Sequence, residues 1–307
     1  MRVLFMGTPD FAVPSLRILL DHSYDVSGVV TAPDKPRGRG QQVTCTPIKM
    51  FALHRHLPIL QPENLKESKF VSDVQHLAPD LIVVVAFRIL PREVYTIPKL
   101  GSFNLHASLL PKYRGAAPIN WAIMNGELES GVTTFFLQDR VDTGSILLQA
   151  RVKIGANETA GELHDALSGV GAEIVLQTVR LIELGKVQPR LQDDLLSCPA
   201  PKIFKTDCRI DWKKTSQQVH DFVRGLSPHP ASWTIHKGKN IKMYRTKIVE
   251  IEPTAAGIVL QRTNDTLLVG TGTGAVSILE IQQEGKRRLE IEEFLRGYTI
   301  ETGDVFE

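Results

Sequence analysis

Apolar runs and amphipathic stretches alternate along the first half of the chain. Residues 2–6 and 26–31 have the pattern of buried strands, and residues 81–86 form an apolar, largely β-branched run that is typical of a central parallel strand covered on both faces. Helical spacing of apolar residues separates these strands, as at 47–56 and 66–77. Strands that alternate with helices predict an α/β fold with a doubly wound, mostly parallel sheet.

The opening strand, turn, helix and strand have the order of a nucleotide-binding, Rossmann-like unit. The turn reads Gly7-Thr8-Pro9-Asp10, so it lacks the second and third glycines that let a pyrophosphate approach the backbone. The pattern therefore predicts the topology and argues against a bound dinucleotide.

A different pattern occupies the last third of the chain. Short runs with alternating apolar positions occur at 232–236, 241–251, 257–261, 266–269 and 275–282, with turn residues between them. Five short strands of this kind predict a small OB-like β-barrel, a fold that often binds nucleic acids.

The stretch between these two patterns has no clear periodicity and contains three prolines between residues 186 and 204. We therefore expect a catalytic α/β domain at 1–187, a linker at 188–204 and a C-terminal OB-like domain at 205–307.

Composition and charge narrow the class of protein. With 42% hydrophobic and 23% charged residues, the 307-residue chain is of globular type. Its net charge of +2 is too small for the total alone to indicate a nucleic-acid partner, although a balanced sum can hide a local excess. Three cysteines are few and are not spaced as a zinc site. No signal peptide is expected, and the longest apolar run, 81–87, is too short for a bilayer. We expect a soluble, cytoplasmic, monomeric protein without a membrane partner.

Two regions carry a local basic excess. The stretch from Lys202 to Lys247 contains eleven lysines and arginines but only three aspartates. Residues 33–46 are rich in proline and glycine and contain Lys35, Arg37 and Arg39. A long structureless loop is either functional or simply mobile and solvated, and a basic barrel face either contacts nucleic acid or keeps the domain soluble. The charge pattern leaves both alternatives open.

The strongest chemical signal lies around residues 101–119. Asn104 and His106 stand two apart on a predicted strand, so their side chains share a face where the strand ends, and Asp142 follows a later strand in a turn. An amide donor, an imidazole and a carboxylate could together support acyl transfer, which needs an oxyanion donor and a proton acceptor. Such a reaction requires neither a metal nor a covalent nucleophile. A structural role for a single histidine beside a strand is the competing interpretation.

The residues of this region resemble a known family. The run Phe-Asn-Leu-His-Ala-Ser-Leu-Leu-Pro-Lys-Tyr-Arg-Gly-Ala-Ala-Pro-Ile at 103–119, with Gly131-Val132-Thr133 and Asp142-Thr143-Gly144, strongly resembles the folate-dependent formyltransferase superfamily. The motifs at 7–12 and 33–40 narrow the resemblance to its branch that acts on tRNA. The likeness covers essentially the whole chain and is weakest in the last third.

This resemblance implies transfer of a formyl group from 10-formyltetrahydrofolate, without a metal, to the amino group of methionine on initiator methionyl-tRNA. The site residues that it implies are, for catalysis, Asn104, His106 and Asp142; for folate, Ser108, Leu109, Leu110, Pro111, Phe87, Ile89 and Leu90; and for tRNA, Lys35, Arg37, Arg39 and Lys205.

One departure from the family pattern affects the folate contacts. After the strand at 81–86 the family has an aromatic residue followed by Gly-x-Ile-Leu-Pro, whereas this chain has Phe87-Arg88-Ile89-Leu90-Pro91, which is one residue shorter and lacks the glycine. The loop is therefore expected to have a different shape.

Three other functions compete with tRNA formylation. A formyltransferase for an amino sugar nucleotide has a very similar core but should lack the Arg-Gly-Arg-Gly loop at 37–40. A glycinamide ribonucleotide formyltransferase should end near the first domain and carry a glycine-rich phosphate loop. A nucleic-acid-binding protein that only senses folate would leave Asn104 and His106 without a purpose.

Overall fold

The computed structural model describes residues 1–37 and 42–307, which form two compact units. The first unit consists of Met1–Gly115, Gly131–Val152 and His164–Pro199, and the second of Ala116–Ser130, Lys153–Leu163 and Ala200–Glu307. These units group residues by contact, and the boundaries 1–187, 188–204 and 205–307 stay a prediction.

Strands and helices alternate up to residue 200. The strands are β1 (Arg2–Gly7), β2 (Asp25–Val30), β3 (Lys35–Arg37), β4 (Gln42–Thr44), β5 (Ile59–Leu60), β6 (Leu81–Val85), β7 (Ser102–His106), β8 (Arg114–Gly115), β9 (Glu129–Phe136), β10 (Ile146–Lys153) and β11 (Pro199–Ala200). The α-helices are α1 (Val13–Asp21), α2 (Pro47–His54), α3 (Ser68–His76), α4 (Arg92–Tyr95), α5 (Pro118–Met124) and α6 (Ala160–Glu183).

In the described part of the chain, seven of these strands form one sheet in the order β10-β9-β7-β6-β1-β2-β5. The neighbours from β7 to β5 are parallel, and β9 runs antiparallel to β7. The strand order reverses between β1 and β6, which is the switch point where open α/β sheets bind ligands. The predicted doubly wound, mostly parallel sheet is confirmed.

The core of this sheet explains why the apolar runs form its centre. All five residues of β6 are buried, and Leu4 and Met6 of β1 pack with Ile82 and Val84 in one apolar cluster. Because both faces of a central parallel strand are covered, the strand needs no polar face.

The prediction of a structureless loop at 33–46 was wrong at its two ends. β3 pairs antiparallel with β4, with Lys35 opposite Thr44. Val43 and Thr44 are β-branched and favour a strand, and Pro36 is tolerated because both strands of a two-stranded ribbon are edges. The segment therefore begins and ends as a β-ribbon.

The second unit contains the remaining elements, which are α7 (Ser216–Leu226), β12 (Ser232–His236), β13 (Lys239–Val249), β14 (Val259–Arg262), β15 (Leu267–Thr271), β16 (Gly274–Gln283), β17 (Leu289–Glu290) and α8 (Ile291–Gly297). Its strands follow the order β12-β13-β16-β15-β14, with β17 beside β16. The pairs that follow this order are antiparallel.

The C-terminal residues connect the two edges of this sheet. Phe306 bridges to His236 on β12, and Val305 bridges to Ile258, which directly precedes β14. Backbone hydrogen bonds between Glu307 and Ile235, and from the Val259 amide to the Asp304 carbonyl, complete the closure. This closure gives the unit its OB-like barrel character.

Within the described ranges, none of the helices is both long enough and apolar enough to cross a bilayer.

We expect Phe306→Ala to destabilise the second unit by about 3–5 kcal/mol, because a ring that is only 2% exposed leaves the barrel core. Urea unfolding followed by tryptophan fluorescence measures this, since Phe306 stacks on Trp212 at 5.9 Å. Val305→Ala is the matched control: its neighbouring side chain is 51% exposed, and its loss should cost about 0.5 kcal/mol or less. Equal midpoints for the two variants would contradict the closure.

Candidate active site

β7 carries two polar side chains to the carboxyl edge of the sheet. Asn104 lies opposite Val84 of β6 and Phe135 of β9, and His106 ends the strand opposite Thr133. Because side chains alternate along a strand, Asn104 and His106 share one face while Phe103 and Leu105 are buried on the other. The strand therefore brings the predicted amide and imidazole together.

His106 is fixed by a backbone carbonyl. Its Nε2 lies 2.8 Å from the carbonyl oxygen of Tyr113. A carbonyl can only accept, so Nε2 carries a proton and donates this hydrogen bond. The other nitrogen, Nδ1, lies 3.8 Å from Oδ2 of Asp142, and the two side chains are only 7% and 12% exposed. Nδ1 is therefore the ring nitrogen that faces Asp142.

Asp142 is held in an unusual backbone conformation. Its φ is +55°, in the left-handed region that non-glycine residues seldom adopt, and its Oδ2 accepts a hydrogen bond from the Gly115 amide at 2.9 Å. Ala86 and Tyr113 also have positive φ angles, of 48° and 59°. Residues held in such conformations cluster at functional sites. Of the three predicted catalytic residues, Asp142 is the one that the fold holds in such a conformation.

Asn104 keeps its amide available. Within residues 1–37 and 42–307 its side chain makes no hydrogen bond, and it is only partly buried. A partly buried amide with unused N–H groups beside an imidazole is suited to bind an oxyanion.

The segment of Ser108, Leu109, Leu110 and Pro111 is anchored by a side chain to which sequence reasoning gave no role. The Thr133 hydroxyl donates to the Ser108 carbonyl at 2.6 Å and accepts from the Leu110 amide at 3.1 Å. The Gln149 amide donates to the Leu110 carbonyl at 2.9 Å and to the Thr133 hydroxyl at 3.0 Å. The signal for Thr133 was its place in the Gly131-Val132-Thr133 motif.

Gly131 of the same motif is required for close approach. A Cβ at this position would lie 2.2 Å from the Ala150 carbonyl oxygen and 2.5 Å from a methyl of Leu109. The Leu109 side chain therefore occupies space that only glycine leaves open.

The shortened loop after β6 is shaped by Arg88. Its guanidinium donates to the carbonyl oxygens of Pro62 at 2.7 Å and Glu63 at 2.9 Å, and it lies over the Phe87 ring. Leu90 is buried and Phe87 packs against the same apolar cluster, whereas Ile89 is 75% exposed. Of the three predicted folate residues in this loop, Ile89 presents the most apolar surface.

The predicted tRNA residues divide between the units. Lys35 is exposed at the start of β3, Arg37 ends that strand, and Arg39 lies outside the described residues. Asp34 precedes the ribbon and accepts hydrogen bonds from Lys49 and Gln61, which hold the pKa of its carboxyl below the usual range. In the second unit, Lys205 is exposed, 3.6 Å from Glu284.

Comparison with known proteins identifies the family. Residues 1–179 match the family described as formyl transferase, and residues 202–299 match the formyl transferase C-terminal domain. The chain is 46% identical to a methionyl-tRNA formyltransferase from Bacteroides thetaiotaomicron, covering 99% of this chain and 97% of the relative. It is also 46% identical to one from Porphyromonas gingivalis, with 98% and 96% covered.

Solved structures share the fold. An N-formyltransferase from Helicobacter canadensis, in complex with folinic acid and dTDP-3-aminofucose, matches with a TM-score of 0.67 at 20% identity, over 92% of this chain and 98% of that one.

We expect Thr133→Val to accelerate hydrogen exchange of the Leu110 amide, because that amide loses its acceptor, and to lower stability by about 1–3 kcal/mol. Exchange measured by NMR tests this. Thr133→Ser retains the hydroxyl and should leave the Leu110 amide protected from exchange. Equal exchange rates in the two variants would contradict the anchoring role of the Thr133 hydroxyl.

Proposed function

The chain belongs to the formyl transferase family, and on that premise we propose that it transfers a formyl group from 10-formyltetrahydrofolate to the methionine amino group of initiator methionyl-tRNA. The observation that carries the proposal is the 46% identity, over almost the full length, to relatives that bear the name methionyl-tRNA formyltransferase. The site geometry supports it independently, because an amide, an imidazole and a carboxylate converge at one edge of the sheet.

The reaction requires two kinds of assistance. The methionine nitrogen attacks the formyl carbon, negative charge develops on the formyl oxygen, and the bond from that carbon to the folate nitrogen then breaks. The attacking amine must lose a proton and the departing folate nitrogen must gain one. The site therefore needs donors for the oxygen and a group that moves a proton.

The three catalytic residues match these needs. The unused N–H groups of Asn104 donate to the developing oxyanion, and a proton on Nδ1 of His106 adds to this stabilisation. The Asp142 carboxylate orients the imidazole from 3.8 Å and accepts the amine proton through water. Because Nε2 is held by the Tyr113 carbonyl, the ring cannot turn away during the reaction.

The donor occupies the switch-point edge of the sheet in this proposal. Ser108, Leu109, Leu110 and Pro111 line one side, held by Thr133 and Gln149. Phe87, Ile89 and Leu90 line the other side. Their loop lacks the family's glycine, and the hydrogen bonds of Arg88 hold it in place. No metal takes part.

The acceptor is recognised through charge. Lys35, Arg37 and Arg39 on the basic segment bind near the acceptor end of the tRNA, and Lys205 contacts its phosphates from the second unit. The enzyme acts as a monomer in the cytoplasm.

The decisive experiment supplies purified protein with labelled 10-formyltetrahydrofolate and, separately, initiator methionyl-tRNA, an amino sugar nucleotide and glycinamide ribonucleotide. Label should appear on methionyl-tRNA alone. Label on the sugar nucleotide would favour the second candidate, which the fold shared with the Helicobacter canadensis enzyme brings forward. No transfer to any acceptor would leave a folate-sensing binding protein.

We expect Asn104→Ala and Asp142→Asn each to lower kcat by about a hundredfold or more, because each removes a group that handles charge in the transition state. Steady-state kinetics with methionyl-tRNA measure this. Asp139→Asn, an exposed carboxylate in the same turn, is the control and should stay within about threefold. Near wild-type turnover in Asn104→Ala or Asp142→Asn would remove that residue from the trio.

We expect Arg39→Ala and Lys205→Ala to raise KM for tRNA about fivefold or more and to leave KM for the folate unchanged, because only the polyanion loses a contact. Wild-type affinity for tRNA should also fall steeply as salt increases. Lys69→Ala, an exposed lysine on α3, controls for net charge. An equal rise in both KM values would contradict this division of roles.

A further inference from the structure

The turn that carries Asp142 is bracketed by a glutamine from a distant part of the chain. The side-chain amide of Gln192 donates from Nε2 to the carbonyl oxygens of Asp142 at 2.9 Å and Gly144 at 2.8 Å. These two carbonyls flank Thr143, so one amide group spans the catalytic turn. We propose that Gln192, oriented by Arg114, is a positioning residue that holds the Asp142 carboxylate in register with His106.

The orientation of the Gln192 amide follows from its other partner. Nε and Nη2 of Arg114 donate to Oε1 of Gln192 at 3.1 and 2.7 Å. A flipped amide would set its NH2 group against the guanidinium and its oxygen against two carbonyls, and every contact would then be repulsive. Arg114 therefore fixes which end of the amide meets the turn.

Arg114 is itself held on its far side. Its Nη1 lies 2.8 Å from Oδ1 of Asp194, and the hydrogen bond and charge of the guanidinium hold the pKa of that carboxyl below its ordinary value. The next residue, Gly115, is the one whose amide binds the Asp142 carboxylate. β8 thus reaches Asp142 twice, directly through the Gly115 backbone and indirectly through Arg114 and Gln192.

Asp142 needs such support because of its backbone. A non-glycine residue at φ +55° lies about 1–3 kcal/mol above its relaxed state and persists only where its surroundings hold it. Gly144 adds a second restriction, because a Cβ there would lie 1.6 Å from the Phe136 carbonyl oxygen. If the Gln192 amide is removed, the turn can relax and the carboxylate moves away from Nδ1 of His106.

The other contacts of the turn do not replace this amide. Asp139 accepts from the Tyr95 hydroxyl at 2.5 Å, and the Thr143 hydroxyl donates to the Arg140 carbonyl at 2.9 Å. These bonds hold the start and the middle of the turn. Among the hydrogen bonds of the described residues, those of Gln192 are the ones that fix the Asp142 and Gly144 carbonyls together.

Gln192 is held firmly enough for this task, although it lies in the segment predicted as a linker. Arg190 and Ile146 exchange both backbone hydrogen bonds, at 2.7 and 2.9 Å, and the Arg114 amide donates to the Cys198 carbonyl at 3.0 Å. We name residues 190–198 the strap, since both of its ends are tied to the first unit. The role of the strap rests on the proposed formyl transfer, through Asp142.

The test compares kcat and KM of Gln192→Ala and Gln192→Glu with wild type on methionyl-tRNA. We expect kcat to fall about tenfold or more with both KM values within about twofold, because substrate binding is untouched while the carboxylate is misplaced. Gln192→Glu retains an acceptor for Arg114, so it keeps the strap folded, yet it opposes two carbonyls with a carboxylate. Leu195→Ala changes a side chain of the same strap that is 93% exposed, so it is the matched control, expected within about threefold.

The double variant separates positioning from general damage. In an Asp142→Asn background, Gln192→Ala should change kcat less than about twofold, since it acts through a carboxylate that is already absent. Hydrogen exchange of the Gly115 amide, which binds Asp142, should accelerate in Gln192→Ala and Gln192→Glu without substrate present. A full multiplicative loss in the double variant, or an unchanged kcat in both single variants, would overturn the proposal. Failure of the wild-type protein to formylate methionyl-tRNA would instead refute the proposed function. Hydrogen exchange of the Gly115 amide would still test whether Gln192 holds the Asp142 turn.

Discussion

The candidate site depends above all on the hydrogen bond from the Gly115 amide to the Asp142 carboxylate. It joins the segment after β7 to the turn between β9 and β10, 27 residues further along the chain. His106 is fixed on its other side by the Tyr113 carbonyl, so the bond from Gly115 ties the carboxylate directly to the segment that also holds the imidazole. The imidazole and the carboxylate are thus each held by a main-chain group.

Around that bond, the first unit combines a regular sheet with strained backbone conformations, which persist only where neighbouring residues hold them. The strands supply Asn104 and His106 at a fixed spacing, whereas Ala86, Tyr113 and Asp142 adopt left-handed φ angles. Thr133 and Gln149 hold the backbone carbonyls of Ser108 and Leu110, and Gln192 of the strap holds the turn of Asp142. The side chains to which we assign chemistry are few, and a larger set of residues holds the backbone around them.

Local rules predicted much of this architecture. The apolar run at 81–86 indicated the central strand, and five of its six residues form β6. The pairing of Asn104 with His106 followed from the two-residue period of a strand. Gln192 could not be found in this way, because its partners are backbone carbonyls 48 and 50 residues away. The β3–β4 ribbon was not predicted, because the prolines and glycines of residues 33–46 indicated a loop more strongly than the β-branched Val43 and Thr44 indicated a strand.

The strap also limits how the chain can vary in length. Its ends are fixed at Arg190 and Cys198, while Leu191, Leu195 and Leu196 between them are exposed. Side chains there are free to change, but an insertion or deletion between the anchors would shift Gln192 along the turn by about 3.3 Å per residue, beyond the reach of a hydrogen bond. Although its composition predicts a linker, this segment sets the position of Gln192 by its length. The number of its residues therefore matters more than most of their identities.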